Sequence, residues 1–325
     1  MKLSFHRVTD EWVDPTCSAF NQAFVEARSP ATWREIYGGS PEGGASLAAV
    51  SEAGRVVGHY GATFHRCSGV PYAVDRVAQA RDTFSLPKYR TLVSRRRPMV
   101  GQLFDLLCET CVTEGISSIH GFGSRRHHDL GIKLLGYRRI ESMVNWSAEV
   151  LLPTRQPVEK LGSLARVKRY DDHIDALEAT FPQPDVCRVE RSSKFLNWRF
   201  SPRPNRKYAL LQYDSFLVAG AAGYAVIAGR GANVQLADFR LPDDSDLRRD
   251  FWHRLMLHLC HQGARIMSWN CSALVPESGY FRQLGAVQVS AVDESIPSFF
   301  PLTDKWSNAD AANRFCLTMA DQDTV

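Results

Sequence analysis

The chain has 325 residues, 44% hydrophobic and 23% charged, with a formal net charge of +4. At roughly 150 residues per domain it should form two domains large enough to fold without disulfides or metal, and its composition excludes a disordered, fibrous or low-complexity chain. No apolar run nears the roughly 20 residues of a membrane span and residues 1–7 hold no signal-peptide core, so a cytoplasmic protein with no membrane or nucleic-acid partner is expected.

Taken in order, the elements repeat. Trp33-Arg34 stands shortly before a strand at Val56–Phe64 that carries Gly58 and Gly61. Met99, Leu103, Leu107 and Cys111 recur at helical spacing and predict a helix over 99–113, stopped by Gly115. A strand at 116–122 and a short helix closing on Leu135-Gly136-Tyr137 follow. Residues 151–158, with Pro153 and Pro157, read as a linker between domains at 1–150 and 159–325. Beyond it Trp198-Arg199 precedes a strand expected at 217–226. Asp243, Asp244 and Ser245 then offer caps to a helix whose Leu247, Phe251, Leu255 and Leu259 form a row, stopped by Gly263. A strand at 265–269 and a close at Leu284-Gly285-Ala286 complete the second pass. Gly115 to Gly136 spans 21 residues and Gly263 to Gly285 spans 22, as a duplication predicts. Alternation of strands and helices makes each half an α/β unit with a mixed sheet flanked by helices. The eight cysteines lie in scattered apolar contexts, Cys108 and Cys111 have no second pair, and His258 and His261 lack a completing carboxylate, so reduced thiols and no metal are expected.

This order of elements resembles the GNAT superfamily of acyl-CoA-dependent acyltransferases, in tandem. The resemblance is carried by Arg81 to Arg90, similar to a strand and Pro-x-x-Arg turn; by Gly121-Phe122-Gly123-Ser124, similar to the end of the next strand; and by Leu135-Gly136-Tyr137. The Trp-Arg elements, with Trp306 and Asp321, are similar to a tandem subgroup that includes bacterial amino-sugar N-acyltransferases. The resemblance implies two tandem GNAT domains, with acyl-CoA as co-substrate of the first. Pantetheine would lie along Phe84, Ser85 and Leu86, with phosphates around Arg90, Arg95, Arg96, Arg97 and Gly101 at a helix start. The first copy departs from the pattern by seven extra residues between Pro87 and Gly115, including the three consecutive arginines. These suit phosphate, a solvated loop or an acidic partner. In the second copy Asp243, Asp244 and Asp246 would repel phosphate, which leaves that half as architecture and part of the acceptor site.

Acyl transfer to an amine needs a neutral amine, a polarised carbonyl and a protonated leaving thiolate. The usual tyrosine acid is replaced by Ile132 in the first copy and Phe281 in the second. His59 is read either as a base or as a strand-capping group, Asp82 either as an amine-orienting carboxylate or as an arginine's partner, and His120 as a group near the thioester. His127 and His128 follow Arg125 and Arg126 in a basic turn suited to a nucleotide diphosphate or plain surface. The implied activity is direct N-acylation of a small polar amine, by resemblance an amino sugar. Rivals are a donor of acyl carrier protein or aminoacyl-tRNA, and a non-catalytic module that keeps the fold.

Overall fold

A computed structural model describes residues 2–24, 27–68, 75–90, 93–94, 97–140, 143–151, 160–180, 186–202, 207–290, 296–306 and 314–322. Among these no helix is long and apolar enough to cross a membrane. In chain order the first copy has β1 (Leu3–Arg7), α1 (Asp10–Ala23), α2 (Pro30–Gly38), β2 (Gly44–Ser51), β3 (Val56–Ser68) and β4 (Asp75–Ser85). Short β5 (Val93–Ser94) and β6 (Arg97–Pro98) lead to α3 (Met99–Thr113), β7 (Ser118–Gly123), α4 (Arg125–Leu135), β8 (Arg138–Arg139) and β9 (Met143–Glu149). The second copy has β10 (Gly162–Val167), α5 (Asp172–Ala179), β11 (Cys187–Val189), α6 (Ser193–Arg199), β12 (Tyr208–Ser215), β13 (Ala221–Ala228) and β14 (Asn233–Arg240). It continues with α7 (Ser245–His261), β15 (Ile266–Ser272), α8 (Ser278–Phe281), β16 (Val287–Gln288), β17 (Ile296–Pro301) and β18 (Phe315–Cys316).

The predicted helix at 99–113 forms over those residues. Its Met99, Leu103, Leu107 and Cys111 are buried beside Phe104 against Tyr60, Ala62, Phe64 and Ala78 of the sheet. Gly115 follows at φ 73° and Gly263 follows α7 at φ 79°, the left-handed stop a glycine adopts without steric cost. α2 starts because Ser29 accepts from the Thr32 N–H and Pro30 occupies the first turn. α1 and α2 pack Val13, Phe20, Trp33 and Tyr37 on the other sheet face, over Ala48, Val56 and Phe84. The strand expected at 217–226 begins later. Residues 216–220 are a turn whose Phe216 and Leu217 are exposed, and the strand runs Ala221–Ala228.

The division of the chain differs from a cut near 150. One compact unit comprises Met1–Glu141 and Glu294–Asn313, the other Ser142–Asp293 and Arg314–Val325. The first sheet runs β1-β2-β3-β4-β7-β17-β8 and the second β10-β12-β13-β14-β15-β9-β16. Each copy therefore receives its last long strand from the other copy's stretch of sequence. Packing fixes the exchange. In the second unit Trp146 of β9 sits opposite Trp269 and packs edge-on to Phe281. In the first, Phe300 of β17 packs on Phe104 and Tyr137. Most of the expected linker, residues 152–158, lies outside the described residues. Six cysteines are free thiols, while Cys67 and Cys187 are disulfide-bonded, which corrects the expectation of eight reduced thiols.

In each sheet the central parallel pair separates. β4 pairs with β7 from Val77↔Ser118 to Gln79↔His120, then runs on to Ser85 without that partner. β14 and β15 pair from Asn233↔Ile266 to Gln235↔Ser268 and then part in the same way.

Candidate active site

A cleft of about 230 Å³ opens where β4 leaves β7, lined by Thr83, Phe84, Ser85, Arg90, Val100 and His127, with Phe24 and Leu130 among its apolar walls. Antiparallel pairing explains which backbone groups it meets. The Leu86 N–H donates to the Val57 carbonyl, and His59↔Phe84 and Gly58↔Ser85 are opposed. Ladder bonds alternate along an edge, so those of Phe84 and Leu86 face β3 while the polar groups of Thr83 and Ser85 face the open side. Of the three residues expected along pantetheine, only Ser85 offers its backbone there. Phe84 contributes a ring to the wall, and sequence reading missed Thr83. The Ser85 carbonyl accepts from Arg90 Nε at 3.1 Å, which holds that arginine at the cleft.

α3 begins beside it with Pro98 as cap residue, and Pro98 offers no side-chain acceptor; among the described residues no side chain caps the Met99, Val100 and Gly101 amides, which suit an anion. A Cβ on Gly101 would fall 2.7 Å from Arg97 Nε, so the glycine lets that side chain lie across the first turn. Arg97 then reaches Asp105, Nη2 to Oδ1 2.9 Å, on the same helix. Arg95 and Arg96 lie outside the described residues.

The acid–base candidates sit elsewhere. His59 is fully buried on β3 with both ring nitrogens engaged. Nδ1–H donates to the Asp82 carbonyl at 2.8 Å, and Nε2 accepts from Ser46 Oγ at 2.9 Å, itself approached by Trp33 Nε1–H at 3.3 Å. Burial pushes its pKa down to about 4, against the weaker opposing pull of Asp82. Asp82 occupies a bulge. His59 opposes Phe84 but Gly61 opposes Arg81, so two residues face Tyr60, and Asp82 takes φ 52°. Its carboxylate pairs with Arg28 and accepts from Tyr37 OH at 2.9 Å. Burial alone would raise its pKa, but Arg28, Arg81 and His59 together with the tyrosine bond overcome this and hold it below the usual value. For both residues the structural alternative fits the geometry. His120 is buried on β7 opposite Gln79 and Phe299 and does not line the cleft. Ile132, at the usual tyrosine position, is 45% exposed.

His59 makes a testable contribution to stability. Its folded pKa lies below the unfolded value of 6.5, so the unfolded chain binds the extra proton between pH 6.5 and 4. The stabilisation is complete above pH 6.5 and is lost as pH falls toward 4, by about 3 kcal/mol at about 1.4 kcal/mol per unit. Urea unfolding across that window should show the loss in the parent protein, and His59→Gln should flatten it.

No family model and no curated protein matches the sequence. Solved structures do. A conserved Enterococcus faecalis V583 protein named a probable N-acyltransferase superposes with a TM-score of 0.72 at 10% identity, over 93% of this chain and 73% of that one. A GCN5-related N-acetyltransferase of Anabaena variabilis gives 0.70 at 11% over the same shares. A tandem GNAT protein of the clavulanic acid pathway gives 0.54 at 13%, over 93% of this chain and 99% of its own. The fold is a tandem GNAT fold. Its second copy has a cleft of about 480 Å³ lined by His173, Leu177, Val218, Gly220, Asp243 and Asp244. There Asp244 caps α7, accepting from the Asp246 and Leu247 N–H groups at 2.9 Å, and these bonds lower its pKa. A carboxylate therefore caps the helix start here, where the first copy has Pro98 and no side-chain cap.

Proposed function

We propose that the chain is an acyl-CoA-dependent N-acyltransferase acting on a small polar amine, with an amino sugar, free or nucleotide-linked, as the first class to test. The observation that carries this is the first-copy cleft, where the open-edge backbone of Thr83 and the Ser85 N–H lie beside the start of α3, whose Pro98 offers no side-chain cap. Those features fit a pantetheine diphosphate. Thr83 and Ser85 would pair with the amides of the arm as an added strand does, while the first-turn amides of α3 and the Arg90 guanidinium would take phosphate. Val100, Leu130 and Leu134 wall the cleft with apolar surface and keep water from the reacting groups. The thioester, when bound, supplies the activated acyl group.

Asp244 supports confining this role to the first copy, because a second anion at α7 would meet a carboxylate already on the amides. The Arg97–Asp105 pair weakens the rival reading in which the arginine run recruits an acidic carrier. Calorimetric titration with CoA and acetyl-CoA tests the proposal. We expect micromolar binding at one site per chain, lost in Ser85→Pro, whose substitution removes the open-side N–H. Folded protein that takes up neither ligand would overturn it.

A further inference from the structure

Because the usual tyrosine position points to solvent and His59, Asp82 and His120 are packed away, a proton-transfer group must come from the cleft wall. We propose that His127 of α4 is the catalytic residue that carries the proton during acyl transfer, an inference that rests on the acyl-CoA reading above. The ring lines the cleft with Thr83, Ser85 and Arg90. It lies against the end of β7 because Gly123 has no side chain: a Cβ there would fall 2.7 Å from His127 Cδ2. Ser124 starts α4 by accepting from the His127 N–H, which places the imidazole on the first turn. Among the described residues neither ring nitrogen has a hydrogen-bond partner, unlike His128, whose Nδ1 meets Ser298 Oγ at 2.7 Å.

Burial and then His128 hold the His127 pKa below 6.5, so the ring is neutral near pH 7. The charged and titratable groups around it are Arg90 across the cleft and Arg125, Arg126, His128 and Asp129 on its own helix. A neutral imidazole can accept a proton. His127 takes the proton shed by the attacking nitrogen as the carbon–nitrogen bond forms. It returns that proton to the thiolate sulfur as the carbon–sulfur bond breaks, so the ring ends neutral and the products are an amide and a free thiol.

The test compares the parent protein with His127→Gln, using acetyl-CoA as donor and glucosamine as probe amine. Acetyl-CoA affinity should change less than about threefold, while thiol release falls by about 10²- to 10⁴-fold, the usual range for acid–base catalysis. The ring carbon–proton NMR signal absent from His127→Gln identifies His127 in the parent, and acetyl-CoA should shift it. Undiminished thiol release in the variant overturns the proposal, as does a ring signal that stays still in protein that binds acetyl-CoA. If glucosamine is no substrate, the ring signal decides. Failure of the parent to bind acetyl-CoA removes the acyl-CoA reading itself, and this assignment with it.

Discussion

Asp82→Asn is expected to destabilise the protein by about 3–5 kcal/mol and to weaken CoA binding with it, although no atom of the carboxylate lines the cleft. The Asp82 and Arg28 side chains are 3% and 8% exposed, so removing the negative charge leaves Arg28 buried without that counter-ion. Asparagine isolates the charge, because it tolerates the positive φ of 52° about as well as aspartate and keeps an oxygen for Tyr37. Asp82→Ala adds backbone strain and should cost more. Arg28→Gln combined with Asp82→Asn should recover part of the loss, since a neutral pair no longer strands a charge. Because Asp82 has a lowered pKa when folded, its stabilisation holds above the ordinary carboxylate range and is lost as pH falls through the folded value. That window lies on the acid side of the His59 one. The binding effect follows from the bulge, which presents Thr83 to the open edge. Urea unfolding and CoA titration of the same variants check both parts, and unchanged stability in Asp82→Asn would refute the role of the ion pair.

What the residues disclosed depended on how local the deciding interaction is. α3 was legible because its buried row and stop glycine lie within one stretch, and the repeated plan was legible because Gly115 and Gly263 stand at matching places. The exchange of β9 and β17 was not legible. Two copies with the same strand order offer equivalent edges, and only packing between residues far apart in sequence, Trp146 on Trp269 and Phe300 on Phe104, separates the choices. The arginine pairing of Asp82 was one of the two readings the sequence offered, but its bulge was not legible, because simple alternation puts it on the regular ladder, whereas the extra residue opposite Tyr60 turns its carbonyl toward His59. His127 was hidden by its neighbours, since Arg125 to His128 reads as a charged turn. The available signal was Gly123 four residues earlier, a gap one helical turn away that admits a ring.

The second large effect is expected in the other unit, at Arg191. Its side chain is fully buried and every arm is used. Nε meets Asp238 at 2.9 Å, Nη2 meets Asp321 at 2.6 Å and Thr318 at 3.1 Å, and Nη1 meets the Val189 carbonyl at 2.9 Å. Thr318 Oγ1 donates to Asp238 at 2.7 Å, and Asp321 accepts from the Thr318 N–H, closing a capping box. The network pins the C-terminal stretch to β14, so the Asp321 carboxylate that resembles a subgroup feature is an anchor here. Arg191→Met keeps most of the volume but leaves two buried carboxylates without their shared cation, which should cost about 3–5 kcal/mol. Arg191→Lys keeps the charge but cannot reach Asp238, Asp321 and Val189 together, and should fall between. Adding Asp238→Asn to Arg191→Met should restore part of the stability by removing one stranded charge. Urea unfolding at pH 7 orders the three. If Arg191→Met is as stable as the parent, the buried arginine is not what holds the C-terminal segment, and packing of Phe315 and Leu317 must do so instead.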